Sequence, residues 1–116
     1  MSEPIAANVV DVRAQLHSLS AALRQVDHLD ADARQRLAEL VEELSIAMGS
    51  DSSDKAIHLS ESAARLMRAL QENHEGGALE AGRKRLQKLI VSAETEAPVL
   101  TGIAERLIRV LSDIGI

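Results

Sequence analysis

Apolar residues in the first third of the chain fall at Ile5, Val9, Val12, Leu16, Leu19, Leu23 and Val26, spaced alternately by four and three. This is a heptad seam, a narrow stripe on one side of a helix that packs along its length against one or two others. Asp27-His28-Leu29-Asp30 interrupts it, and Asp30 is placed to accept from the free amides of a new helix. The second helix repeats the rhythm with Ala33, Leu37, Leu40, Leu44 and Ala47, widened by Val41 and Met48, and stops at Gly49. Residues 5–49 therefore read as a helical hairpin whose short connection makes its two helices antiparallel neighbours.

The polar run 49–53 is a linker. After it, Ser53 or Asp54 caps a third helix over about 54–75, with Ala56, Leu59, Ala63, Leu66 and Leu70 as its seam, Ile57 and Met67 beside it, and Gly76-Gly77 as its terminator. A fourth helix over about 78–96 carries Leu79, Gly82, Leu86, Leu89 and Ala93, with Ile90 adjacent. Glycine in a helix interior costs about 1 kcal/mol against alanine, so Gly82 on the seam marks a close helix approach. Pro98 suits the first turn of a fifth helix over 98–114, built on Leu100, Ile103, Leu107, Val110 or Leu111, and Ile114. At its end Gly115 is expected in the left-handed conformation, with Ile116 folding back onto Leu111 in a Schellman motif. No repeat of 20 to 50 residues accompanies the shared rhythm.

Two regions resemble a family of short bacterial all-helical proteins classed as a domain of unknown function. One is the hairpin from Val12 to Leu44, including Leu29-Asp30-Ala31-Asp32-Ala33-Arg34-Gln35-Arg36-Leu37. The other is the Pro98 helix with its ending Val110-Leu-Ser-Asp-Ile-Gly-Ile116, similar to a family ending that has Asn and Met where this chain has Asp113 and Ile114. Together they cover about half of the 116 residues, and the stretch 50–93 is longer than in the usual member. The resemblance implies a helical fold and a bacterial origin, and the family has no assigned activity.

Composition supports an all-α antiparallel bundle of about five helices in one domain, because the chain is rich in Ala, Leu, Glu, Arg and Gln and lacks alternating β-branched runs. It has no Cys, Trp, Tyr or Phe, so a disulfide, a thiolate nucleophile and an aromatic platform for single-stranded nucleic acid are excluded. The net charge of -5 argues against a general polyanion binder. The opening Met-Ser-Glu-Pro lacks a basic segment followed by an apolar one, and no run of about 18 apolar residues occurs, so a cytoplasmic protein without a transmembrane segment is expected.

Catalytic chemistry finds little support. His17, His28, His58 and His74 have no second histidine three or four residues away and no Glu three residues before them, so solvation or capping explains them better than a metal or cofactor set. The pairs Glu42-Glu43, Asp30/Asp32 and Glu94/Glu96 read as capping and solvated carboxylates. Gly-x-Ser-x-Gly is absent, and Gly76-Gly77 follows no strand that would make it a phosphate loop. The expectation is a non-enzymatic protein with no catalytic residue, metal or cofactor.

The charge asymmetry lies in Arg83, Lys84, Arg85 and Lys88. They give residues 78–116 six basic against five acidic side chains, while residues 1–49 hold four against eight. They form either a solvated face, with a Glu80 to Lys84 pair one turn apart, or a basic face for an anionic ligand or partner. Narrow stripes of small and medium side chains bury limited area, worth about 25 cal/mol per Å2. Both an intramolecular bundle and a homodimer of packed hairpins fit the seams, and the leading functional expectation is a helical module for protein-protein contact, as a homo-oligomer, adaptor or chaperone-like partner.

Overall fold

In the computed structural model, the backbone is described for residues 4–50, 53–72 and 77–115, and side chains from Val10 onward within those ranges. Five helices follow one another: α1 (Pro4–Leu23), α2 (Ala31–Ala47), α3 (Asp54–Gln71), α4 (Gly77–Ala93) and α5 (Pro98–Asp113). No strand occurs among the described residues. The seam positions Ile5 and Val9 and the residues His74, Gly76 and Ile116 lie outside the described side chains.

The helix boundaries follow local chemistry. The Asp30 carboxylate accepts from the Ala33 amide at 2.8 Å, and the Ser53 hydroxyl from that of Ala56 at 3.2 Å, so both expected caps form. At α5 Pro98 occupies the first turn and the preceding Ala97 offers no side-chain cap; the Thr101 hydroxyl bonds back to the Pro98 carbonyl at 3.0 Å. Gly115 adopts φ 88°, and its amide bonds to the Ser112 carbonyl at 3.1 Å, which is one of the two Schellman hydrogen bonds. The expected contact of Ile116 with Leu111 lies outside the described residues.

Two boundaries differ from the sequence reading. Helix α3 ends at Gln71 rather than near 75, capped by Glu72, and Gly77 opens α4 rather than closing α3. Helix α4 ends at Ala93 rather than 96, because Glu96 and Ala97 turn their amides back to the Ala93 carbonyl at 3.1 and 2.8 Å.

The helices form a ring in the order α1, α2, α5, α4, α3, with α3 also touching α5 across it. That placement makes α3 the most enclosed element: Ala56, Ile57, Leu59, Ala63, Ala64, Leu66, Met67 and Leu70 are all buried on it. One core draws on all five helices, including Leu16, Leu37, Leu59, Leu86 and Leu107 at 0% exposure or close to it. The radius of gyration of 13.4 Å is that of a compact chain of this length, about 13 Å. The described seams are therefore consumed inside the chain, and contact with another molecule falls to faces outside them.

The same core admits polar atoms that the stripes do not announce. Ser20, Ser45, Ser60, Ser62 and Thr101 are buried. Ser60 is fully enclosed on α3, with no partner for its hydroxyl among the described residues. No described helix is long and apolar enough to cross a membrane.

Candidate functional site

Three places on the surface bring chemistry-bearing side chains together. The first joins α1 to α2. The Ser20 hydroxyl donates to the Glu42 carboxylate at 2.8 Å and lies at the same distance from the His17 carbonyl, while the His17 ring meets the other Glu42 oxygen at 3.3 Å. The Ser20 hydrogen bond, followed by His17, holds the Glu42 carboxyl below its ordinary value. A serine nucleophile needs an imidazole beside its hydroxyl, with the acid behind the imidazole. Here the acid stands between them, so the group clamps two helices and holds no activated nucleophile. Nearby, the Arg13 guanidinium donates to the Ser45 carbonyl at 3.1 Å and the Ser45 hydroxyl to that of Arg13 at 3.4 Å.

The second place is the α3–α4 groove, of about 400 Å3, where the basic cluster is divided. Arg85 and Lys88 line this groove and meet His58 and Arg65 from α3, together with Glu61, Ser62 and Leu89. Lys84 pairs with Glu80 at 3.5 Å, as its spacing of four residues allows. Arg83 is half-buried, with its Nε enclosed and without a hydrogen-bond acceptor among the described residues. At 100° per residue Lys84, Lys88 and Arg85 fall within about 100° of one another around α4, while Arg83 lies at least about 100° from each of them.

The third place is the groove between α4 and α5, with a volume of about 510 Å3. Ile90 forms its floor at 5% exposure, Ile108 is half-buried, and Val91 stands in solvent at 72%. Gln87, Glu94, Glu105, Arg109 and Ser112 surround this apolar centre. Sequence periodicity misses the site because Val91 sits one residue beyond the buried stripe, where an isolated valine carries no pattern.

Of the remaining histidines, His28 has a local role and His74 lies outside the described residues. The His28 ring lies 2.9 Å from the Leu70 carbonyl, in the last turn of α3, and so ties the α1–α2 turn to that helix end. Among the described residues no group of three His, Asp or Glu side chains converges as a metal set would. Comparison of the chain with models of known families, with curated proteins and with solved structures finds no match.

Proposed function

We propose that the chain is a non-enzymatic helical interaction module that assembles with a second helical protein, its own copy above all, through the surface between α4 and α5. The observation that carries this reading is the exposure of Val91, at 72%, beside Ile90 and Ile108 in a groove that the rest of the chain leaves open. The hydrophobic seams are already satisfied inside the bundle, with Ile90 in the core and Ile108 packed against it, so the exposed Val91 is the part of this strip that gains when covered. The resemblance of the hairpin and the Pro98 helix to a bacterial helical family belongs to the same proposal and brings no activity with it. The proposal also places the protein in the cytoplasm, as a chain without cysteine that is held together without disulfides.

Sedimentation equilibrium of the wild-type chain and of Val91→Glu tests the reading. The wild type is expected above its monomer mass of 12.5 kDa and the variant at it, with equal helical circular dichroism. Equal masses would count against this surface.

A second reading is favoured by one observation, the convergence of Arg85 and Lys88 with Arg65 and His58 on a single groove. It makes the protein a small regulator of an anionic ligand. Binding of inorganic polyphosphate that falls steeply with salt, and that Arg85→Glu with Lys88→Glu abolishes, supports it. Absence of binding removes it.

A further inference from the structure

We propose that the α3–α4 groove is a binding site for a small soluble phosphate monoester, its phosphate group held by Arg65, Arg85 and Lys88 with the Ser62 hydroxyl beneath. This rests on the second reading above and narrows its anionic ligand to one phosphate group.

Helix geometry assembles the groove from two stripes. His58, Glu61, Ser62 and Arg65 follow the spacing i, i+3, i+4, i+7 along α3, Arg85, Lys88 and Leu89 follow i, i+3, i+4 along α4, and both stripes line the same groove. Lys55, in the first turn of α3, reaches the Ser92 carbonyl near the end of α4 at 3.1 Å and the Glu96 carboxylate beyond it at 3.4 Å, so the two helices run antiparallel. Their register follows from the contact of Gly82 with Leu66. Four residues back along α3 and four on along α4, Ser62 stands level with Leu86. Arg65, Ser62, Arg85 and Lys88 then fall within about 8 Å of one another along the helix axes at 1.5 Å per residue, a span that arginine and lysine side chains can close.

The charge of this groove is not answered within the chain. Arg65, Arg85 and Lys88 make no ion pair or hydrogen bond among the described residues, whereas Arg36, Lys55, Lys84 and Arg106 each hold a carboxylate at 3.1 to 3.5 Å. Glu61 lies one turn before Arg65 in the same groove and is not paired with it. Ser62 is 6% exposed and also lacks a hydrogen-bond partner among the described residues, yet its hydroxyl is not sealed in as those of the enclosed orphans Ser60 and Arg83 are. A buried hydroxyl without a partner, bordering a groove, is placed to donate to whatever fills it.

The lining also sets the class of ligand. Three cationic side chains against one carboxylate, with His58 neutral, leave a charge of +2. That matches the charge of about -1.5 to -2 on a phosphate monoester at neutral pH and exceeds that of a carboxylate. Two guanidinium groups supply forked N–H donors for the phosphate oxygens, and Lys88 adds a compact charge. The volume of about 400 Å3 leaves room beyond the phosphate, and half-buried Leu89 offers the ester's carbon an apolar wall. Glu61 limits the charge the groove accepts, because a second phosphate would meet a carboxylate.

Calorimetric titration of the full chain with butyl phosphate, and with acetate for comparison, tests the site. Butyl phosphate is expected to bind one to one, and acetate at least about tenfold more weakly. Arg85→Gln, at an exposed position, and Ser62→Ala are each expected to weaken butyl phosphate at least about tenfold with unchanged helical circular dichroism, and Glu61→Gln to tighten it. Ser62→Ala alters no charge, so full affinity in that variant overturns the built site and leaves only attraction to a basic surface. Binding of polyphosphate without butyl phosphate overturns the single-phosphate ligand and leaves the anionic reading standing. Retention on vesicles containing phosphatidic acid, without butyl phosphate binding, overturns the soluble ester in favour of a lipid headgroup. A chain that binds none of these overturns both the site and the anionic reading.

Discussion

Gly82 of α4 lies directly against Leu66 of α3: a Cβ added at Gly82 would meet the Leu66 Cδ1 at 3.0 Å, with the Leu66 Cβ and Cα at 3.8 and 3.9 Å. The missing side chain lets two helix backbones approach in the middle of the bundle, which offsets the helical cost of glycine. Gly102, inside α5, has nothing within 4 Å of the same hypothetical atom. The two glycines therefore respond in opposite ways to the same change. Gly102→Ala is expected to stabilise the protein by about 0.5 to 1 kcal/mol, the helix preference of alanine over glycine. Gly82→Ala is expected to gain nothing, and Gly82→Leu to lose about 1 to 3 kcal/mol through overpacking. Urea unfolding followed by circular dichroism measures all three; a Gly82→Leu protein as stable as wild type would show that the helices separate there at no cost.

The second prediction concerns Ser60. Its hydroxyl is fully buried on α3 without a partner among the described residues, so Ser60→Ala removes an unsatisfied polar group and places a better helix former in the same space. The variant is expected to be about 1 kcal/mol more stable, visible as a raised melting temperature. A lowered one would reveal a hydrogen bond that the hydroxyl makes in solution.

The Glu42 clamp has a pH signature. Its carboxyl titrates below the ordinary value, chiefly because Ser20 donates to it and secondly because of His17. A depressed carboxylate contributes stability in full above its unfolded value and loses it as the pH falls through its native value. Ser20→Ala is expected to cost about 1 kcal/mol at neutral pH, and the gap from wild type is expected to narrow as Glu42 becomes protonated. Carboxyl carbon NMR titration should show the Glu42 value rising in Ser20→Ala. An unmoved titration would show that the hydroxyl does not hold the carboxylate.

The bundle itself was legible because its information is periodic. Leu16, Leu37, Leu66 and Leu107 recur at heptad spacing and all are buried, and Asp30 and Ser53 cap where a polar residue precedes an apolar rhythm. Gly82 was legible too, since glycine on a seam has few other uses. The surface was not. Arg83, Lys84, Arg85 and Lys88 are one run in sequence and several environments in space, since their directions depend on which sides of α4 its neighbours α3 and α5 occupy. The pairing of Ser20 with Glu42 spans 22 residues, and the meeting of Ile90 with Ile108 needs the antiparallel register of α4 and α5; neither follows from a local pattern. A similar distance in sequence separates Arg65 from Arg85.

The chain contains no cysteine, so a single one introduced at the surface reports whether that position meets its own copy. Val91, at 72% exposure in the α4–α5 groove, and Val10, at 68% on α1, accept the change without disturbing the core. Mild oxidation of each purified single-cysteine variant, followed by non-reducing electrophoresis, is the most direct test of the proposed assembly. The account predicts rapid formation of a disulfide-linked dimer from Val91→Cys and little from Val10→Cys. Equal, slow cross-linking of the two would contradict it, because two copies would then be colliding at random rather than meeting through α4 and α5.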